Sequence, residues 1–266
     1  MNIIQALILG IVQGLTEFIP VSSSGHLVLF HQWLGVTEHG LAFDVALHFG
    51  TLMAILIYFH EDIISLVRAV FVRSQQTKLA WLIAMATIPA AAAGFLLQDA
   101  AESTFRSSIL VAMNLILVAF LMIGAEYYAK KQTQNKKRNK LNDTTTKQAL
   151  AVGLAQAAAI VPGVSRSGAT ITTGIFMGMD RVAATRFSFL LGVPIMLGAI
   201  TKVMFDGGLS SVQNEATIFA VGVISAFVSG MFAINFLIKY LAKHSLNVFA
   251  YYRIGLGILV LILALA

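Results

Sequence analysis

The amino-acid sequence predicts an all-α polytopic membrane protein with an inverted-topology repeat, about six transmembrane helices and two re-entrant helical hairpins. Three observations carry that prediction. First, charged residues make up 11% of the 266-residue chain and hydrophobic ones 58%, against roughly 25% charged in a soluble domain. With a mean hydropathy of +0.83, lipid and not water must solvate most of the surface. Second, apolar runs approaching the length of a bilayer crossing recur along the chain. Third, the two halves resemble each other across a polar linker.

Taken in order, residues 2–19 and 26–36 are apolar but interrupted by Pro20, Ser22, Ser23, Ser24 and Gly25. They read as a re-entrant hairpin, with an ordinary spanning helix over 2–19 as the alternative. No Lys or Arg precedes Arg68, so the start lacks the basic region of a signal peptide and is expected in the mature protein. Spans follow at Phe43–Phe59, Leu79–Gln98 and Ile109–Ala129. A second broken pair, 148–160 and 169–179, is interrupted at Pro162-Gly163 and reads as the second hairpin. Further spans follow at Thr185–Val203, Ala216–Ile238 and Phe249–Ala266. Such runs approach the roughly 20 residues that cross a hydrocarbon core, and the internal Pro89 and Pro194 are tolerable where neighbouring helices satisfy the freed carbonyls.

Basic loops stay cytoplasmic. Arg68, Arg73 and Lys78 mark one such loop, and seven basic residues in Lys130–Lys147 mark another. Arg181 with Arg186, and Lys239, Lys243 and Arg253, mark the last two, so 15 of the 18 basic residues are assigned inside. Arg106 and Lys202, near Asp99, Glu102 and Asp206, are assigned outside. The C-terminus is then expected outside as well.

A gapless shift of 143 residues lays Gln5–Gly25 on Gln148–Gly168 with nine of 21 positions identical, where biased composition would give roughly one match in ten. The chain therefore divides into a first repeat at 1–129, a cytoplasmic basic linker at 130–147 and a second repeat at 148–266. Each repeat holds three crossings, an odd number, so the halves face opposite ways. Inverted duplications of this kind place binding sites near the midplane at the repeat interface, and irregular backbone at that depth is tolerated only around protein or a wet cavity.

The chemistry concentrates at the two breaks. Ser22-Ser23-Ser24-Gly25-His26 and Ser165-Arg166-Ser167-Gly168 each open a helix, where unpaired N–H groups and the helix dipole attract anions. Arg166 adds a planar fork suited to phosphate oxygens. Plain capping accounts for any single serine; it does not account for a buried arginine, which is costly without an anionic partner. Glu17, the only acid in the first 37 residues, either holds a divalent cation, abstracts a proton or pairs with Arg166. Gln13, four residues earlier, shares its helical face. His26 is a candidate acid/base or nucleophile; His31, His39, His48, His60 and His244 receive no role. Under the 143-residue shift Glu17 faces Ile160, His26 faces Ala169 and Ser23 faces Arg166. That asymmetry suits an enzyme acting on a phosphate better than a pseudo-symmetric carrier. A polyprenyl-phosphate flippase or small-anion transporter, with Glu17 and His26 as a proton relay, is the alternative. The absence of Cys removes disulfides, thiolate nucleophiles and Cys-based metal sites.

At these residues the sequence resembles the undecaprenyl-diphosphate phosphatases of the bacitracin-resistance type. The carriers of the resemblance are Gln13-Gly14-Leu15-Thr16-Glu17-Phe18-Ile19-Pro20-Val21-Ser22-Ser23-Ser24-Gly25-His26 and Pro162-Gly163-Val164-Ser165-Arg166-Ser167-Gly168-Ala169-Thr170. The family carries Glu or Gln at position 13, so Gln13 weakens only a two-carboxylate metal site. A different class of lipid phosphatase also uses Ser-Gly-His but needs a histidine where Thr172 stands here. The resemblance implies a multi-pass enzyme of the bacterial inner membrane. It would hydrolyse undecaprenyl diphosphate, a C55 polyprenyl diphosphate, to the monophosphate and inorganic phosphate at the outer face. That step recycles the lipid carrier of peptidoglycan synthesis and confers bacitracin resistance. The expected cofactor is a divalent cation, Mg or Ca, at Glu17 with help from Gln13. Glu17, His26, Ser23 and Arg166 are expected to be catalytic, and Ser22, Ser24, Gly25, Ser165, Ser167 and Gly168 to bind phosphate. The expected partners are the lipid and the bilayer, with a homodimer as an option and no nucleic acid.

Overall fold

The computed structural model describes residues 1–36, 40–102, 107–132, 138–205 and 215–265. Among these the chain is helical throughout, with no strand beyond an isolated bridge between Asn139 and Met179. The helices are α1 (Ile3–Phe18), α2 (Ser23–Trp33), α3 (Gly40–Tyr58), α4 (His60–Phe71), α5 (Thr77–Glu102), α6 (Ser108–Gln132), α7 (Thr146–Ala158), α8 (Arg166–Phe176), α9 (Arg181–Phe205), α10 (Ala216–Leu241) and α11 (Asn247–Leu265). Five of them, α5, α6, α9, α10 and α11, are long and apolar enough to cross a membrane. The α3–α4 pair, bent by 83°, adds a sixth candidate if it is one broken span. The all-α polytopic expectation is met, and the six spans read from sequence correspond to α3, α5, α6, α9, α10 and α11 with ends that differ by a few residues, α3 qualifying as a crossing only together with α4.

The segment marked by Arg68, Arg73 and Lys78 is not simply a loop, because residues 60–71 form α4. Glu61 and Asp62 occupy its first turn and Arg68 its last, so its charges complement the helix dipole. Exposed Ile64, Val67, Val70 and Phe71 recur at helical spacing. The charges that excluded this stretch as a span conceal an amphipathic period suited to an interfacial helix. Arg186 on α9 pairs with Asp62 at 2.7 Å and fixes α4 in place.

Helices α1, α2, α7 and α8 are each 16 residues or shorter, below the length of a span. Local sequence sets their ends. Asn2 with Gln5, and Thr145 with Gln148, form reciprocal capping boxes at the starts of α1 and α7. Pro20 makes a helical conformation unfavourable for Ile19, and Ile19 is extended at φ −65°, ψ 132°. The short helices then pack across the molecule, α1 on α10 and α7 on α5, elements that the 143-residue offset also exchanges. Close approach is possible because glycines face these neighbours: a Cβ on Gly10 would overlap the Gly222 carbonyl and Ser225 of α10, and one on Gly153 would overlap Ala86 of α5.

The largest core cluster contains Phe18, Leu52, Ile55, Phe59, Phe187 and Phe189. Phe18 meets Phe189 edge-on at 5.2 Å, which anchors the last turn of α1 and with it Glu17. The Arg106 and Asp206 loops, His39 and residues 133–137 of the basic linker lie outside the described residues.

Candidate active site

The two sequence breaks have the same backbone conformation. Ser22 has φ 77° and Ser165 φ 74°; among the described residues they are the only non-glycine positions with positive φ, a conformation that persists only where its surroundings impose it. Each hydroxyl oxygen accepts from the N–H three residues on, Gly25 at 3.3 Å and Gly168 at 3.0 Å. Ser22 and Ser165 are therefore helix caps, and their oxygens point back into their own helices. Ser24 and Ser167 stay beside them, 3.4 and 3.3 Å from the cap hydroxyls. The tips abut: a Cβ on Gly25 would lie 3.6 Å from the Gly163 Cα of the other break.

Next to each cap stands the first residue of the helix, Ser23 on α2 and Arg166 on α8, and both reach Glu17. Ser23 Oγ donates to Glu17 Oε2 at 2.6 Å. Arg166 Nη2 donates to Oε1 at 2.7 Å. Gln13 Nε2 adds a weaker bond to Oε2 at 3.1 Å, as the four-residue spacing on one helical face requires. Glu17 is 5% exposed, and a carboxylate so buried is tolerable only with this density of donors.

Arg166 does not spend its whole fork on Glu17. Its Nη1 is buried and has no hydrogen-bond partner. An unpaired donor on a buried guanidinium, beside helix N-termini, has the chemistry to bond an anionic oxygen. The side chain fits only because residue 192 on α9 is glycine: a Cβ there would overlap Nη1. Thr170, one turn along α8, bonds both the Arg166 carbonyl at 2.7 Å and Ser188 of α9 at 2.6 Å, holding α8 against α9.

His26 sits on a different side of the tip. Its Nδ1 lies 2.7 Å from the Ser22 carbonyl, an acceptor, so Nδ1 carries the proton. Its Nε2 meets the Tyr252 hydroxyl at 2.8 Å, and the two rings stack with planes 7° apart. Both ring nitrogens are thus engaged away from Ser23 and Glu17. The structure brings Glu17, Ser23, Gln13 and Arg166 into direct contact and sets His26 beside them as the group that ties down the Ser22 turn.

Four contributing residues escaped the sequence reading. His48 on α3 places Nε2 3.6 Å from Glu17 Oε2, and nothing local in the sequence links α3 to α1. Gly192 and Tyr252 likewise act only through tertiary contacts. Arg253 is a correction. It was assigned to a cytoplasmic loop but is 0% exposed inside α11. Its guanidinium donates to the carbonyls of Pro20 in the first break (3.2 Å) and of Gly163 and Val164 in the second (2.7 and 3.1 Å). It also reaches Leu115 and Asn114 of α6. A signal was available, since Arg253 lies inside the apolar run Phe249–Ala266 and an intramembrane arginine marks a functional or structural site. Arg181 is also not a free loop charge: it is bidentate to buried Glu126, which in turn accepts from the Leu246 N–H.

Comparisons with known proteins place the whole chain among named relatives. An undecaprenyl-diphosphatase of Rubrobacter xylanophilus is 44% identical over 280 residues, covering 100% of this chain and 99% of the relative. One of Desulforudis audaxviator is 44% identical with the same coverage, and one of Chloroherpeton thalassium is 42% identical over 98% of this chain and 96% of the relative. Residues 6–259 match the family described as Bacitracin resistance protein BacA, and the chain belongs to that family.

Proposed function

We propose that this membrane protein is an undecaprenyl-diphosphatase, releasing inorganic phosphate from undecaprenyl diphosphate and returning the monophosphate carrier to cell-wall synthesis. The observation that carries this reading is the buried Arg166 guanidinium, with Nη2 on Glu17 and Nη1 unpartnered, beside a serine already bonded to that carboxylate. The full-length relatives named for this activity support it.

In this reading the terminal phosphoryl group lies against Arg166 Nη1 and the N-termini of α2 and α8. Ser23 Oγ attacks phosphorus as its proton passes to Glu17 Oε2, 2.6 Å away. The bond from phosphorus to the bridging oxygen breaks and undecaprenyl phosphate leaves, carrying off the proton held by Glu17. Water then attacks the phosphoserine and gives its proton to the regenerated Glu17 carboxylate, which returns it to the departing Ser23 Oγ as phosphate is released. Arg166 stabilises charge on the transferring oxygens. His26, donating to the Ser22 carbonyl, aims the turn that carries Ser23.

A divalent cation belongs to the proposal. Among the described residues no three His, Asp or Glu side chains gather into an all-protein cage. Glu17 nevertheless offers one carboxylate, and the Gln13 Oε1 is buried and unpartnered, which suits an ion that keeps phosphate and water ligands. Bound there it would neutralise diphosphate charge. The bacterial inner membrane, with cytoplasmic basic segments and a site open to the outer face, completes the proposal.

The test is phosphate release from undecaprenyl diphosphate by the purified protein, with and without chelator. No release under either condition overturns the reading.

A further inference from the structure

His48 has no place in the reaction as described, yet its ring faces the central carboxylate. Its Nδ1 lies 2.8 Å from the Asp44 backbone carbonyl. That oxygen can only accept, so Nδ1 carries a proton, and in the neutral ring Nε2 is an acceptor. Nε2 lies 3.6 Å from Glu17 Oε2. Two acceptors confront each other, at a separation too long for a hydrogen bond even if a proton were added. The Asp44 carboxylate cannot act as counter-charge for His48, because it is engaged by His31 Nε2 at 2.8 Å.

The geometry points to a shared cation: we infer that His48 Nε2 is a nitrogen ligand of the divalent ion that Glu17 holds. Two ligands at about 2.1 Å from a tetrahedral first-row ion stand roughly 3.4 Å apart, close to the separation here. A third donor is near. Gln13 Nε2 touches the same Glu17 oxygen, and the other atom of that amide, Oε1, is buried without a partner. The His48 side chain retains 31% exposure, leaving room for phosphate and water ligands. A backbone bond that fixes the tautomer of a ligating histidine is the usual outer-shell arrangement. The inference rests on the cation in the proposed function and adds a ligand from α3. A nitrogen donor also favours first-row transition ions over Ca2+.

The experiment is pulsed electron paramagnetic resonance of Mn2+ added alone to the purified protein. Directly bound 14N modulation is expected, changing to the 15N pattern in protein made with 15N-histidine, a comparison that needs no variant. His48→Gln should lose the modulation and weaken Mn2+ binding about tenfold or more, and Glu17→Gln should abolish the site. Bound Mn2+ without nitrogen modulation, or modulation that survives His48→Gln, overturns the inference. So does failure to detect any Glu17-dependent Mn2+, whereas the phosphatase reading falls only if phosphate release is absent.

Discussion

Ser23 and Arg166, 143 residues apart, bind opposite oxygens of one carboxylate: Ser23 Oγ to Glu17 Oε2 and Arg166 Nη2 to Oε1. Each is the first residue of its helix, after a serine cap with positive φ. The same turn, built twice, thus delivers a serine hydroxyl from one side and a guanidinium from the other. In the proposed reaction Glu17 orients the arginine and takes the serine proton.

Ser23→Ala is expected to lower kcat by a thousandfold or more with little change in substrate affinity, because the lost hydroxyl acts only in the chemical step. Rapid quench with labelled substrate should trap an acid-stable phosphoserine in the wild type and none in the variant. An acid-labile adduct at His26 would transfer the nucleophile's role to that residue.

Arg166→Lys should not rescue Arg166→Ala. Lysine keeps the charge but cannot bond Glu17 and an incoming oxygen through one planar fork. Loss of such a preorganised donor costs about a hundredfold or more in rate. Near-normal turnover of a well-folded Arg166→Lys protein would reduce Arg166 to a counter-ion for Glu17.

Gly192→Ala tests the same guanidinium from a distance. The new methyl group would overlap Nη1, displacing the fork from the phosphate position, and kcat should fall tenfold or more while the protein still inserts and folds. Gly198, on the same helix, has open space around its Cα and serves as control: Gly198→Ala should leave activity unchanged and stabilise the helix by up to about 1 kcal/mol. Equal effects of the two changes would show that position 192 reports only on helix packing.

What the sequence made legible follows from the range of each signal. Span lengths, the two capping breaks, Glu17, Ser23 and Arg166 are written in contiguous stretches, and the internal duplication made the second stretch interpretable through the first. Gln13 was found because helical spacing fixes its neighbour. His48, Tyr252 and Gly192 were invisible, because α3, α9 and α11 reach the site through packing that no local pattern encodes. Helix α4 was not recognised because its charges, compatible with a helix lying along the membrane surface, look like a boundary when only crossings are sought. Arg253 was misplaced by treating every basic residue near a helix end as a solvent-exposed topology marker.

Topology has its own test. The proposed cytoplasmic placement of the basic segments requires that a reporter active only in the cytoplasm be silent when fused after Ala266 and active when fused within residues 130–147. Activity at Ala266 would invalidate the inverted arrangement of the halves.

Arg253 should matter for architecture before chemistry. No carboxylate contacts its guanidinium among the described hydrogen bonds and ion pairs; its acceptors are five backbone carbonyls, three of them from the two breaks. Arg253→Met removes the buried charge, which is itself favourable, but strands those carbonyls, each costing about 1–3 kcal/mol when left unsatisfied. The net outcome is expected to be a lower Tm in detergent together with lost activity. Arg253→Lys should rescue little, since a point-like ammonium cannot span carbonyls on three segments. Tyr252→Phe, one residue away, removes only the hydroxyl partner of His26 Nε2 and keeps the ring stack, so Tm should hold while kcat falls severalfold. A wild-type Tm for Arg253→Met would mean that the breaks meet without it.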